Sequence, residues 1–236
     1  MDGQGNVFPG KLTSFDHVVD TLTFHADNGV ILRVQIFRDS VIRFKYGTGG
    51  ELDKDFSYAV EATSNRGYNK LSVLEQNDYY EITTSKIICH IAKADLKSRI
   101  FDLTGNIICE DELGFHYEES YQYGGEVVKM SKKAQPGESY YGLGDKPADN
   151  NLRAKRFEMW GTDQYAFGKT TDPLYKNVPF YIGLQNKAAY GIFFDNTFRS
   201  FFDFAQERHH VTSFWAQGGN MDYYFIYGPE VTSVVS

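Results

Sequence analysis

Apolar and polar residues alternate over short stretches of this chain. Every second residue of the segment 30–36 is apolar, and in an extended strand these side chains lie on one face. The preceding pair Asn28 and Gly29 favours a tight hairpin turn, because both residue types accept positive φ angles. The pattern therefore predicts a hairpin turn followed by a strand over residues 30–37.

The same alternating or β-branched pattern returns along most of the chain, interrupted by Gly, Asn and Asp. It predicts further strands over residues 18–25, 41–46, 79–84, 86–92, 127–130, 180–185, 190–195, 200–204, 211–216 and 221–226, and a hairpin over residues 101–109. Many short strands at close spacing are typical of an all-β sandwich or barrel. Because no sustained apolar pattern at helical spacing occurs, the sequence excludes a Rossmann domain or TIM barrel within this chain.

Three segments depart from this pattern. Residues 1–14 are polar and Gly-rich, and we predict a flexible arm there, followed by a β-domain of residues 15–228. Residues 161–179 form a long non-periodic stretch that includes aromatic residues, and ordered loops of this kind often carry function. Residues 229–236 begin with Pro-Glu and carry Val at helical spacing, which indicates the start of a truncated helix; a frayed tail is the alternative.

Composition narrows the classes of function. The 236 residues are 42% apolar and 16% aromatic, which suits a packed β core. A net charge of −7 with scattered basic residues argues against a nucleic-acid partner. No apolar run reaches the ~18 residues that a membrane-spanning helix needs, so we expect no membrane partner. The first residues show no leader pattern, which leaves localisation open.

Few residues suggest ligand binding or catalysis by themselves. Cys89 and Cys109 lack metal-ligand spacing, so we predict a buried structural thiol at Cys89 and leave a bridge to Cys109 open. His209 and His210 would point to opposite faces of a strand, which disfavours a shared metal ion.

Charged runs and known catalytic motifs add little. The acidic run of residues 110–112 and the basic pair Lys132 and Lys133 are interpreted as solvated turns. Nucleophile-elbow, phosphate-loop and zinc-protease motifs do not occur, and we expect no cofactor and no metal.

An ordered set of short motifs occupies the segment from residue 140 to residue 229. The stretch Tyr141-Gly142-Leu143-Gly144-Asp145 resembles the Tyr-Gly-Leu-Gly-Glu stretch of glycoside hydrolase family 31, with Asp in place of Glu. In family order there follow Asn-Leu-Arg-Ala-Lys-Arg at 151–156, Met-Trp-Gly-Thr-Asp at 159–163, Asp-Pro-Leu-Tyr-Lys-Asn-Val-Pro-Phe-Tyr at 172–181, Tyr-Gly-Ile-Phe-Phe-Asp-Asn-Thr-Phe-Arg at 190–199 and Tyr-Tyr-Phe-Ile-Tyr-Gly-Pro at 223–229. On these motifs the chain resembles the N-terminal domain of the family, which includes α-glucosidases and α-xylosidases. The first 140 residues match only in character.

The resemblance implies a two-sheet antiparallel β-sandwich of the galactose-mutarotase-like type. In the family a (β/α)8 barrel follows this domain and holds both catalytic Asp residues, so no catalytic residue is expected in this chain. The resemblance implies that the full-length protein is a retaining α-glucosidase, which hydrolyses terminal α-linked glucose or a related α-glycoside. The barrel of the same polypeptide and an α-glucoside oligosaccharide would then be the partners, and this chain alone would be inactive.

The resemblance also implies a site. In the family a loop of this domain leans over the barrel mouth and helps to form the subsite for the leaving sugar. By resemblance, Asp163 accepts hydrogen bonds from a sugar hydroxyl group, Tyr165 offers a stacking face and Gln164 is a further candidate. The alternative for Asp163 is an Asx turn that fixes its own loop. Arg156 and Arg199 are flanked by aromatic residues and are expected to anchor strands and loops.

Two other functions stay open. A stand-alone carbohydrate-binding β-sandwich module would use exposed aromatic residues on one sheet face. A complete mutarotase-like enzyme would need His and Glu to converge in a groove, and the six His residues form no such motif. The sugar and the linkage depend on barrel residues, so this chain does not predict them.

Overall fold

The chain folds into two antiparallel β-sheets that pack face to face. A computed structural model describes residues 5–61, 67–120, 122–185 and 188–236, and these ranges contain seventeen strands and one short helix. The predicted all-β sandwich is confirmed, and no Rossmann-type or barrel-type alternation of strands and helices occurs in the described residues.

The strands follow one another along the chain, most of them with short connections. The first nine are β1 (Leu12–Val18), β2 (Thr21–Ala26), β3 (Ile31–Arg38), β4 (Val41–Gly47), β5 (Ser72–Glu75), β6 (Tyr79–Thr83), β7 (Ile87–Ala92), β8 (Ser98–Asp102) and β9 (Ile107–Ser120). The remaining elements are β10 (Gly125–Lys133), β11 (Ser139–Gly144), β12 (Arg156–Met159), β13 (Asn177–Gln185), β14 (Ala188–Phe194), β15 (Ser200–Phe204), β16 (Val211–Ala216), β17 (Met221–Gly228) and the helix α1 (Val231–Val234).

Neighbouring strands within each sheet run antiparallel. The eight-stranded sheet has the order β1-β2-β3-β4-β17-β14-β13-β11, and the nine-stranded sheet has the order β12-β15-β16-β10-β9-β8-β7-β6-β5. The hydrogen-bonded pair β11 and β13 therefore forms one edge of the first sheet, while β12 is an edge strand of the second. The chain segments that join these two edges lie at the same end of the molecule.

Aromatic rings fill much of the space between the sheets. The Tyr46 ring of the first sheet stacks on Phe115 of the second with centroids 4.5 Å apart, and Phe194 meets Phe214 at 5.2 Å. All four side chains are almost completely buried. Burial of such a ring stabilises the fold by about 1.5–3 kcal/mol, so the high aromatic content is explained chiefly by the core.

The acidic run of residues 110–112 and the basic pair Lys132 and Lys133 lie in strands. The interpretation of these two runs as solvated turns was therefore wrong. Asp111 lies in β9 and Lys132 in β10, and the Lys132 ammonium group donates a hydrogen bond of 2.7 Å to the Asp111 carboxylate. The two side chains are 0% and 3% exposed, respectively. Each charge occupies an inward position of its strand because the other neutralises it there.

The beginning of the chain differs from the prediction in two ways. The strand β1 starts at Leu12, inside the predicted arm of residues 1–14, because its backbone pairs with β2. The predicted strand 18–25 is divided after Val18, since Val19 adopts a positive φ of 56° and turns the chain into β2. Val7 of the predicted arm forms an isolated bridge with Tyr117.

The predicted helix start at residues 229–236 corresponds to the four-residue helix α1. Glu230 takes the N-cap position and Val234 is buried against the first sheet. The Val234 Cγ1 atom would lie 2.9 Å from a Cβ atom placed at Gly191. The glycine at this position of β14 therefore permits the close approach of the helix.

Candidate functional site

A long loop joins β12, an edge strand of the nine-stranded sheet, to β13, the strand next to the edge of the eight-stranded sheet. It covers residues 160–176, between the end of β12 and the start of β13. The predicted loop of residues 161–179 therefore has nearly these bounds, although its last three residues belong to β13. It connects one sheet to the other at the end of the molecule where β11, β12 and β13 meet.

A buried lysine holds the base of this loop. The Lys146 ammonium group donates hydrogen bonds to the Glu158 carbonyl oxygen at 2.7 Å, to Asp172 Oδ1 at 2.8 Å and to Asn177 Oδ1 at 3.2 Å. The other carboxylate oxygen of Asp172 accepts a hydrogen bond of 2.6 Å from the Glu158 N–H group. Strand β12, the late part of the loop and the start of β13 are thus joined through one cation.

Glycines bring the family-like stretch close to the end of the loop. A Cβ atom at Gly144 would lie 1.9 Å from the Lys176 carbonyl oxygen, and one at Gly142 would lie 2.5 Å from the Phe180 carbonyl oxygen. Both glycines have positive φ angles, and the pairing of β11 with β13 shifts register between them. Such a bulge redirects the chain. In this protein the residues that follow β11, among them Lys146, reach the base of the loop.

The three predicted sugar-contacting residues lie together near the start of the loop. Asp163, Gln164 and Tyr165 are all exposed, and the Tyr165 side chain is 100% exposed. Within the described ranges, the Asp163 carboxylate takes part in no hydrogen bond or ion pair, so no Asx turn forms there. By contrast, Asp102 accepts hydrogen bonds from Thr104 and Asn106 and holds its own turn.

Exposed aromatic side chains lie on one side of the base of the loop. Trp160 and Phe198 are about half exposed, and they line a cleft of about 410 Å³ together with Tyr58 and Phe193. Asp195 also lines this cleft, and burial raises the pKa of its carboxyl group above the ordinary value. Sequence reasoning did not single out this cleft, because its residues come from four separate segments.

The two arginines near the loop contact aromatic rings. The Arg156 guanidinium lies 4.5 Å from the centroid of Trp215 and 5.4 Å from that of Phe201. Arg199 forms an ion pair with Glu158 and lies 5.8 Å from the Trp160 centroid. Such contacts fix the orientation of neighbouring strands, as the sequence predicts for both residues.

The remaining candidates do not form a reactive cluster. Cys89 and Cys109 are buried free thiols, so the bridge left open by the sequence does not form, and burial raises the pKa of Cys109 to about 12. His209 and His210 are exposed in a turn. No group of three His, Cys, Asp or Glu side chains in the described ranges could hold a metal ion. None of the helices described is long and apolar enough to span a membrane.

Comparisons with known proteins place this geometry in a family. Alpha-glucosidase 2 of Bacillus thermoamyloliquefaciens is 31% identical over 228 residues, which cover 96% of the chain and 28% of that protein. The structure of a GH31 dextranase from Flavobacterium johnsoniae, complexed with isomaltotriose, superposes with a TM-score of 0.88 at 28% identity. That match covers 97% of the chain and 28% of the dextranase chain.

A third structure extends the likeness of fold. A GH31 α-xylosidase from a soil metagenome, complexed with xylose, has a TM-score of 0.73 at 17% identity and covers 92% of the chain and 32% of the enzyme chain. The chain thus spans under a third of the length of each of these three relatives. The model of the glycosyl hydrolase 31 N-terminal galactose mutarotase-like domain matches residues 31–203, and the chain belongs to this family.

Proposed function

We propose that the chain is the non-catalytic N-terminal domain of a retaining α-glucosidase-type enzyme and that its loop of residues 160–176 completes the subsite for the leaving sugar. The full-length protein would hydrolyse terminal α-linked glucose or a related α-glycoside by way of two carboxylates on a separate catalytic barrel. The alpha-glucosidase and the dextranase, which exceed this chain severalfold in length, support this assignment.

The observation that carries the proposal is the unpartnered carboxylate of Asp163. An Asp in a loop usually accepts hydrogen bonds from its own turn, whereas Asp163 is exposed and makes none with the described residues. Its acceptor oxygens are therefore free for hydroxyl groups of a sugar. Tyr165 is fully exposed and free to stack on that sugar, and Gln164 offers an amide beside it.

Exposed apolar side chains near the loop support a second part of the proposal, contact with the barrel of the same polypeptide. Trp160, Phe167, Tyr175, Val178 and Phe198 are each about 40–53% exposed. Large exposed aromatic groups in one region are typical of an interface between domains or proteins. We infer that the barrel covers part of this surface and leaves Asp163 at the rim of its active site.

The role of Asp163 is tested by kinetics on the full-length polypeptide. A hydrogen bond to a charged group contributes about 1.5–3 kcal/mol, so Asp163→Asn should lower kcat/KM for an α-linked glucose disaccharide about 10- to 100-fold. For 4-nitrophenyl α-glucoside, which has no leaving sugar, kcat/KM should change less than about threefold. The control is Asp149→Asn, because Asp149 is also an exposed Asp, with a side chain 77% exposed. Equal losses on both substrates, or no loss on the disaccharide, would contradict the proposal.

The cleft beside the loop favours a second candidate, a stand-alone carbohydrate-binding module. Exposed rings of Tyr58, Trp160 and Phe198 line it, and the Asp195 carboxylate lies at its wall. Aromatic faces combined with a carboxylate are suited to sugar rings and hydroxyl groups. This candidate requires saturable sugar binding by the isolated chain, whereas a subsite loop without its barrel would bind very weakly.

A further inference from the structure

Lys146 is a buried cation at the base of the loop. Its side chain is 2% exposed, although its ion-pair partner Asp172 is 22% exposed. A buried ammonium group is strongly unfavourable unless each of its donors is satisfied. The three hydrogen bonds to Glu158, Asp172 and Asn177 use all three donors of Lys146.

These contacts close the loop at both ends. Glu158 belongs to β12, which precedes the loop, and both polar groups of its backbone are engaged: its carbonyl oxygen by Lys146 and its N–H group by Asp172. Asn177 begins β13, which follows the loop, and its side chain also donates to the Leu174 carbonyl oxygen at 2.8 Å. Lys146 therefore fixes the separation of β12 and β13 and holds Asp172 between them.

The part of the loop beyond this clamp has few contacts of its own. Its hydrogen bonds are local: the Thr162 hydroxyl donates to the Trp160 carbonyl oxygen, and Gly168 and Thr171 pair with each other. Nothing in these bonds fixes the direction in which Asp163 points relative to the sheets. That direction depends on the two anchored ends of the loop.

We propose that Lys146 is a positioning residue for the sugar-contacting loop. By joining Glu158, Asp172 and Asn177, it orients the segment that presents Asp163, without touching the sugar itself. This role rests on the proposed function of Asp163, because a loop without a ligand would need no fixed direction. The clamp itself is open to a separate test that involves no substrate.

Another lysine of the same region provides the matched control. Lys176 lies at the end of the loop, but its side chain is 74% exposed and makes one ion pair, at 3.4 Å, with Asp145. Lys176→Met removes the same charge from the same region without opening the clamp. Lys146→Met keeps most of the buried apolar volume and removes the charge, the ion pair with Asp172 and the three hydrogen bonds.

The first experiment is hydrogen exchange followed by mass spectrometry on the full-length polypeptide. Lys146→Met should speed exchange at least about tenfold in peptides covering residues 158–172, including the Glu158 amide, because Asp172 loses its cation. Lys176→Met should leave these peptides unchanged. Unchanged exchange in Lys146→Met would overturn the clamp. If that variant does not fold, Asp172→Asn tests the same clamp, since it removes the charge but keeps the shape of the side chain.

The second experiment measures kinetics of the same variants. Lys146→Met should raise KM for an α-linked glucose disaccharide about tenfold with kcat changed less than about threefold, while 4-nitrophenyl α-glucoside is little affected. Added to Asp163→Asn, it should cause no further loss, because both changes remove the same contact. Full activity of Lys146→Met beside a defective Asp163→Asn would overturn the positioning role alone. Full activity of Asp163→Asn would overturn the proposed function and the positioning role together, while the exchange data would still report on the clamp.

Discussion

At the scale of single residues, the least expected feature is an ion pair between charges that the core surrounds. Burial acts to lower the pKa of Lys132, but Asp111 and other neighbouring groups together outweigh this effect and raise that pKa. Asp111 also accepts hydrogen bonds from the N–H and hydroxyl groups of Ser98 at 2.7 and 3.0 Å. The ammonium group of Lys132 reaches Tyr223 of the opposite sheet at 3.1 Å. This network therefore links the two sheets through polar contacts.

Removal of Lys132 tests this network. Lys132→Met leaves the buried carboxylate of Asp111 unpaired, and we expect the free energy of unfolding to fall by about 3–5 kcal/mol. The control is Lys133→Met, because the Lys133 side chain is 47% exposed and its partner Glu110 keeps a second ion pair, with Arg99. We expect a loss below about 1 kcal/mol there. Urea unfolding measures both changes, and similar losses in the two variants would contradict the account.

A second residue gives a prediction for pH. Burial lowers the pKa of His116 from 6.5 to about 4; the hydrogen bond from its Nδ1 to the Gly114 carbonyl oxygen acts to raise it. The unfolded chain therefore binds a proton near pH 6.5 while the folded chain does not. The contribution of His116 to the free energy of unfolding is fully present above pH 6.5. It falls by up to about 3 kcal/mol as the pH is lowered towards 4.

The pH dependence is measured by urea unfolding at several pH values. His116→Phe keeps a ring that can stack on Phe8, whose centroid lies 5.2 Å away, but it cannot titrate. The difference in stability between wild type and variant should change by up to about 3 kcal/mol between pH 6.5 and 4. Parallel curves for wild type and His116→Phe would rule out the predicted role.

At the scale of elements, the strand β11 makes the closest backbone approach near the loop. Three consecutive residues, Gly142, Leu143 and Gly144, have positive φ angles, and Leu143 is completely buried. The glycines leave room for the carbonyl oxygens of β13 and of the loop end. This local geometry explains physically why the Tyr-Gly-Leu-Gly-Asp stretch carries two glycines.

Replacement of these glycines separates conformation from crowding. Gly144→Ala places a Cβ atom 1.9 Å from a backbone oxygen, so we expect a loss of at least about 3 kcal/mol in the free energy of unfolding. Gly137 has nearly the same φ, +75° against +76°, but open space around it. Gly137→Ala should therefore cost only about 1–2 kcal/mol. Thermal or urea unfolding measures the loss of stability in both variants. Equal losses in the free energy of unfolding would show that crowding at Gly144 has no effect.

The sequence predicted elements best where one face is apolar and the turns are strong. The predicted bounds of β15 and β16 agree with the structure, because their aromatic or β-branched residues end at clear breaks. The strands β5, β11 and β12 were not predicted: β5 and β12 have only four residues each, and the partners of β11 and β12 are distant in sequence. The Lys146 clamp was missed for the same reason: three of its residues are far apart along the chain, and only the fold brings them together.

At the scale of the whole molecule, the chain is a two-sheet domain in which the loop of residues 160–176 connects β12 of one sheet to β13 of the other. The strand patterns predicted the sandwich, and the motifs after residue 140 predicted the family. The family model and the relatives confirm the family. Residues 161–179 were singled out because they lack periodicity. The direction of the loop could not be predicted, because its two ends are held by contacts of Lys146 with Glu158, Asp172 and Asn177 that only the fold brings together.

The central claim is that this domain contributes one contact to a sugar site that another domain builds. One carboxylate supplies about 1.5–3 kcal/mol, less than the ~4 kcal/mol that a dissociation constant of 1 mM requires. The most direct measurement is therefore a titration of the isolated chain and of the full-length polypeptide with isomaltotriose and maltotriose, followed by NMR or calorimetry. We predict saturable binding by the full-length polypeptide for at least one sugar and none by the folded isolated chain up to about 10 mM. Saturable binding by the isolated chain with a dissociation constant below about 1 mM would contradict the account and identify a stand-alone sugar-binding module.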